Sequence, residues 1–261
     1  MKKFYVCTNL KINLGIKETL DYAGKLSSFV DRNLAESSNV EVFFFPDFLS
    51  LYPVSQLLKN SKLKFGSQNC YWEEKGPFTG ETSVSTLKEI GCSYVMAGHP
   101  ERLLYFSETY SMVNKKIKTI LKNNLTPLVF VIEKEKGKST KQVCSILKRQ
   151  LTPLLSGIEP KDVNKIVLFY EPAWAIGTLS SAPIEHTSQV IRELRELLSD
   201  LYGKGVGENQ IFMYGGGVTL ESAKKIIQLD NINGFGMGKA ALNLEFFTDA
   251  INVAIDLKRN A

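Results

Sequence analysis

Ile166-Val167-Leu168-Phe169-Tyr170-Glu171-Pro172 strings five apolar or aromatic residues together and closes them with a carboxylate and a proline. A strand with one wet face alternates polar and apolar residues, so an unbroken run reads as a strand buried on both faces of a parallel sheet. Seven further runs, most of them equally free of polar alternation, are Phe4–Cys7, Val40–Phe45, Leu63–Phe65, Tyr94–Ala97, Leu128–Ile132, Ile211–Tyr214 and Ile232–Met237. Between them the period changes to that of a helix. Lys17–Glu36 carries Leu20, Ala23, Leu26, Val30 and Leu34 at three- and four-residue steps, and Tyr110–Leu125 and Glu185–Tyr202 do the same. Ser83 before Val84–Ile90, and Thr219 with Glu221 close behind, read as helix caps. Eight such units with no Pro-, Gly- or Ser-rich linker predict one α/β domain over residues 1–261, matching the count of a (β/α)8 barrel. Periodicity alone also suits a doubly wound open sheet.

Composition narrows the class. The 261 residues are 44% hydrophobic and 23% charged, which suits a soluble globular chain and excludes disorder, collagen and coiled coil. Thirty-two Lys and Arg against 27 Asp and Glu leave +5, only a weak preference for anionic partners. The densest basic stretch, Lys134–Lys141, includes Glu135 and Gly137 and reads as a solvated turn, so no nucleic-acid partner is expected. Cys7, Cys70, Cys92 and Cys144 form no CxxC pair and no metal-like spacing, which suits a reducing compartment. The apolar run after Lys2-Lys3 is too short for a signal-peptide core, and no segment approaches a membrane span. A cytoplasmic location is expected.

In a parallel barrel, chemistry gathers at the C-terminal ends of the strands. Those ends deliver Asn9 and Lys11, Gln68 and Asn69, His99 followed by Glu101-Arg102, Glu171, the run Gly215-Gly216-Gly217, and Gly238-Lys239. Each has a plain reading by itself: a solvated lysine, a structural histidine, a surface ion pair, a strand ended by proline, ordinary turns. Together on one face, a carboxylate, an imidazole, an ammonium and two glycine clusters fit proton transfer on a phosphorylated carbonyl compound. A carboxylate beside the carbon takes the proton, and a donor at the oxygen stabilises the enediolate that forms. A fixed cation favours both phosphate and intermediate, and main-chain N–H groups freed by glycine approach the phosphate closely.

These motifs resemble the triosephosphate isomerase family along the whole chain. Asn9-Leu10-Lys11-Ile12-Asn13 resembles N-W-K-M-N, and Gly98-His99-Pro100-Glu101-Arg102 with Glu108 downstream resembles G-H-S-E-R with its acid. Gln68-Asn69-Cys70-Tyr71 and Gly76–Ser83 resemble the third strand end and its protruding loop. Tyr170-Glu171-Pro172-Ala173-Trp174-Ala175-Ile176-Gly177-Thr178 is close to Y-E-P-V-W-A-I-G-T, while Tyr214–Val218 and Asn233-Gly234-Phe235 resemble Y-G-G-S-V and D-G-F. The resemblance implies the barrel and an aldose–ketose isomerase of glycolysis and gluconeogenesis, without metal or organic cofactor. It implies Glu171 as base, His99 as a neutral electrophile held so by a helix N-terminus, and Lys11 as fixed charge. Asn9 would orient Lys11, and Glu101 would pair with the site's cations. Phosphate would meet Gly177, Gly216, Gly217, Gly238 and Lys239. Pro172–Ala182, with Trp174, Ile176 and Thr178, would form a lid, and a loop carrying Tyr71, Trp72, Phe78 and Thr79 would dock into a second subunit of a homodimer.

Departures collect at the phosphate end. Gly217 stands for the family's serine, Lys239 for a glycine, Leu179 for a glycine at the lid's end, and Pro100 for the serine beside the histidine. Leu10 replaces a tryptophan, Thr8 a glycine, and Val131 the family's cysteine on the fifth strand, with its glutamate nearby at Glu133. Retained chemistry with an altered substrate end suits interconversion of dihydroxyacetone phosphate and glyceraldehyde 3-phosphate, or isomerisation of a four-carbon ketose phosphate of the erythrulose phosphate type. A non-catalytic barrel that binds a phosphorylated metabolite is the third reading, and an intact Lys11, His99 and Glu171 argue against it.

Overall fold

A computed structural model describes residues 3–35, 38–176 and 181–259. All eight strands are parallel and neighbour one another in chain order, and β1 pairs with β8 to close the barrel. The strands are β1 (Phe4–Asn9), β2 (Val40–Phe45), β3 (Lys64–Ser67), β4 (Tyr94–Ala97), β5 (Thr126–Glu133), β6 (Val167–Pro172), β7 (Ile211–Tyr214) and β8 (Gly234–Met237). Each sits within a few residues of its apolar run. The closed ring removes the open-sheet alternative.

Helices return the chain over the outside: α1 (Ile16–Asn33), α2 (Phe48–Leu57), α3 (Val84–Glu89), α4 (Pro100–Tyr105), α5 (Tyr110–Lys122) and α6 (Thr140–Leu154). They continue as α7 (Pro160–Val163), α8 (Ile184–Tyr202), α9 (Lys204–Asn209), α10 (Leu220–Ile227) and α11 (Leu244–Arg259). The count exceeds one per strand because the connections after β4, β5 and β6 each hold two helices. The buried stripe of α1, namely Thr19, Tyr22, Ala23, Leu26 and Val30, follows the helical steps of the sequence. Caps are local. Asp47 accepts from Leu49 N and Ser50 N, Ser83 from Thr86 N, and Thr219 from Ser222 N, so Ser222 rather than Glu221 completes that cap. The helix after β4 stops at Lys122 rather than Leu125, where Asn124 turns into the left-handed region at φ 58°.

Two apolar layers hold the barrel. The outer one lies between strands and helices; the inner one fills the ring with Phe43, Tyr94, Leu128, Phe130, Phe169 and Met213 among others. Phe43 stacks on Tyr94 with centroids 3.9 Å apart, and Phe130 meets Phe169 at 5.0 Å. Phe169 fits only because its neighbours on β8 and just past β7 lack side chains. A Cβ on Gly215 would stand 1.9 Å from its ring, and one on Gly236 would stand 2.5 Å away. Gly215, part of the glycine run after β7, therefore has a packing reason of its own.

The connections after β3 and β4 are joined by a buried polar cluster. Lys116 of α5 donates to Glu108 and, at 2.7 Å, to Asn69 Oδ1, while Arg102 Nε lies 3.4 Å from Glu108 Oε2. The Glu108 and Lys116 side chains are 1% and 3% exposed, so each charge depends on the other for compensation. Lys116→Met should leave the buried Glu108 carboxylate with Arg102 alone as its ion partner and lower unfolding free energy by about 3 kcal/mol. Equilibrium denaturation of the two proteins checks this.

Candidate active site

Six of the polar residues read from the strand ends, Asn9, Lys11, Gln68, His99, Glu101 and Glu171, meet at the C-terminal mouth of the barrel. Asn9 ends β1, and its Oδ1 accepts from Lys11 N at 2.9 Å. That bond accompanies a backbone that few non-glycine residues adopt, with Lys11 at φ 52°. Gln68 Nε2 donates to Lys11 O at 2.9 Å and braces the same turn from beyond β3. The Lys11 ammonium donates to Glu101 Oε1. Asn69 does not join this group. Its side chain points to Lys116, and Arg102 is paired with Glu108 rather than with Glu101.

His99 follows β4 as the N-cap of α4, its ring 4.8 Å from that of Phe130 at the top of the inner layer. Nδ1 accepts from Glu101 N at 3.3 Å. A neutral imidazole whose Nδ1 accepts carries its hydrogen on Nε2. Burial pushes the His99 pKa down to about 4; Glu101 opposes that shift, and Lys11 and Arg102 reinforce it. Burial, the largest of these causes, keeps the ring neutral.

Glu171 lies at the end of β6 and is 5% exposed. Its Oε1 has no hydrogen-bond partner among the described residues. Burial raises its pKa to about 8; Lys11 works against the rise and Glu101 adds to it. A carboxylate desolvated in this way holds a proton readily yet can release it near neutral pH, which is what a proton shuttle requires.

Gly217 has φ 64°. Gly216 packs so closely that a Cβ would stand 2.4 Å from Pro172 Cγ, and its carbonyl accepts from Tyr214 Oη. Gly238 and Lys239 are exposed just past β8. Trp174 Nε1 donates to Glu133 Oε1 at 3.0 Å, Ala182 N donates to Tyr214 Oη at 2.8 Å, and Ile176 is exposed. Gly177, Thr178 and Leu179 lie outside the described residues. Phe78 tilts against Tyr71, which stacks on Trp72, and Thr79 is exposed. Glu133, which the resemblance places as the family's glutamate on the fifth strand, ends β5, whereas nothing in the sequence singled out His186, in the first turn of α8.

The triosephosphate isomerase family model matches residues 4–254. The chain belongs to the triosephosphate isomerase family. It is 38% identical over 252 residues to a triosephosphate isomerase of Alkaliphilus metalliredigens, covering 97% of this chain and all of the relative. The triosephosphate isomerase of Dictyoglomus turgidum is 39% identical over 81% of this chain and 85% of its own length, and that of Aquifex aeolicus 35% over 94% and 97%. The triosephosphate isomerase family makes this chain an isomerase with a small phosphorylated sugar as substrate. Among the described residues no helix is long and apolar enough to cross a membrane.

The two shifted groups give opposite pH effects. Glu171 keeps its proton to higher pH when folded, so its share of stability is present below pH 4.5 and lost as pH rises through about 8. His99 refuses its proton when folded, so its share is present above pH 6.5 and lost as pH falls through about 4. Relative to the parent, Glu171→Gln should gain stability as pH climbs from 5 to 9, measured by thermal midpoints across pH. If Glu171 must be ionised to act, kcat/KM should climb tenfold per pH unit below about 8 and level off above it.

Proposed function

We propose that this site interconverts dihydroxyacetone phosphate and glyceraldehyde 3-phosphate through an enediolate. The observation that carries the reading is a buried Glu171 with a free oxygen, placed at the same mouth as a neutral His99 and the Lys11 ammonium. The Glu171 carboxylate takes the proton from the carbon beside the carbonyl, and the electron pair moves onto the carbonyl oxygen. His99 donates to that oxygen through Nε2–H, a neutral donor with little tendency to trap the intermediate as an ion pair. Lys11 holds positive potential where the negative charge grows. Glu171 then returns the proton to the neighbouring carbon, so no net charge or proton is consumed.

Asn9 and Glu101 fix Lys11, one through its backbone and one through its ammonium. Backbone N–H groups of the lid's Gly177 and of Gly216, Gly217 and Gly238, together with the Lys239 ammonium, take the phosphate dianion. Pro172, Trp174, Ile176 and Thr178 belong to a lid that excludes water from the enediolate. The protein works as one domain and as a homodimer in the cytoplasm. Support for the dimer comes from Ile12, Leu49, Leu104 and Tyr105, at least 70% exposed in the connections after β1, β2 and β4.

Glu171→Gln should lower kcat on dihydroxyacetone phosphate by about 10²–10⁴-fold with little change in substrate binding. Near-parental turnover would remove Glu171 from its role. Running erythrulose phosphate beside it tests the substrate, and a preference for four carbons would move the assignment while leaving the chemistry. Lys239→Gly should weaken binding of inorganic phosphate by roughly tenfold in calorimetry; tighter binding would mean that Lys239 crowds the site instead. Sedimentation at micromolar concentration should show two chains per particle.

A further inference from the structure

Glu133 ends β5 with a carboxylate almost sealed from water, its side chain 3% exposed. Three donors converge on it. Tyr170 Oη donates to Oε2, Trp174 Nε1 donates to Oε1 at 3.0 Å, and His186 Nε2 lies 3.0 Å from Oε2. A carboxylate only accepts, so His186 carries the shared hydrogen on Nε2.

The three come from separate places. Tyr170 immediately precedes the candidate base on β6, Trp174 stands at the leading end of the lid, and His186 is in the first turn of α8, just past the trailing end. That helix begins at Pro183 with no side-chain cap, so the His186 bond and the Ala182 N–Tyr214 Oη bond just before it are polar restraints on its start. The last torsion of a glutamate is broad and soft, so hydrogen bonds rather than rotamer preference set the plane of its oxygens.

We propose that His186 is a positioning residue for the lid. By donating to Oε2 it fixes the plane of the Glu133 carboxylate, so that Oε1 faces the Trp174 indole and both ends of the lid are tied to one group. The inference deepens the isomerase reading and rests on it. Its chemical consequence is protection of the intermediate. In a loosened lid the enediolate's electron pair expels the phosphate: the C–O bond breaks, its electrons leave on the phosphate oxygen, and the neutral enol left behind gains a proton at its terminal carbon and gives up its hydroxyl proton to become 2-oxopropanal.

The test uses the full chain with Trp72→Phe, which leaves Trp174 as the sole indole of the two in the sequence. His186→Leu removes the donor and keeps bulk, His186→Ala removes both, and His186→Gln retains a neutral N–H donor. One donor-free variant that fails to fold leaves the other to report. Loss of the donor should shift Trp174 emission to the red and lower kcat about tenfold. Phosphate released per isomerisation should rise by a similar factor, and His186→Gln should restore all three to within about twofold. Parental emission and parental phosphate partition in a donor-free variant would overturn the proposal, as would a Gln variant that behaves like Leu. Absence of isomerase turnover in the unsubstituted protein would overturn the functional reading alone, because the emission comparison needs no turnover.

Discussion

A charge withdrawn from water must be compensated or given up, and the mouth of this barrel is arranged around that constraint at Glu171. Apolar burial discourages the carboxylate's charge while Lys11 encourages it, so neither protonation state dominates strongly. The same constraint sets His99, where burial and nearby cations outweigh Glu101 and leave a neutral ring. Glu101 is therefore a moderating group. It holds the Lys11 ammonium in place and, by sharing that charge, limits how far Lys11 can lower the base.

The scaffold makes such a balance possible because strand ends are fixed more firmly than free loops. Inner-layer rings press up to the level of His99, and the Phe130–Phe169 contact links its floor to β6, which carries Glu171 two residues after Phe169. Lys116, Glu108 and Asn69 join the connections beyond β3 and β4 and bond to one another rather than to Lys11, His99 or Glu171. Polar residues at one mouth thus divide into those that meet the centre and those that hold its walls.

That division marks how much the sequence could say. Eight apolar runs and their spacing were visible because strand burial leaves a one-dimensional trace, and Lys11, His99 and Glu171 were visible because each follows such a run. Asn69 and Arg102 also follow strands, yet they face Lys116 and Glu108. Nothing local in Gln68-Asn69 separates the inward residue from the outward one, since their partners Lys11 and Lys116 stand 57 and 47 positions away. His186 was illegible for the same reason: its partner is 53 residues distant, and a histidine in a helix's first turn carries no mark of it. Gly215 misled in the opposite sense, because a glycine run after a strand hints at a bound anion while one of its members is there for Phe169.

The trio of Phe169, Gly215 and Gly236 also constrains the order in which this lineage could change. A larger residue at either glycine position collides with the ring while the phenylalanine remains, so those routes are closed at the first step. Shrinking position 169 opens a void, which is costly but survivable, and only then can the glycines acquire side chains. History at these three sites is therefore directional, and their substitutions should be inherited as a linked set rather than singly.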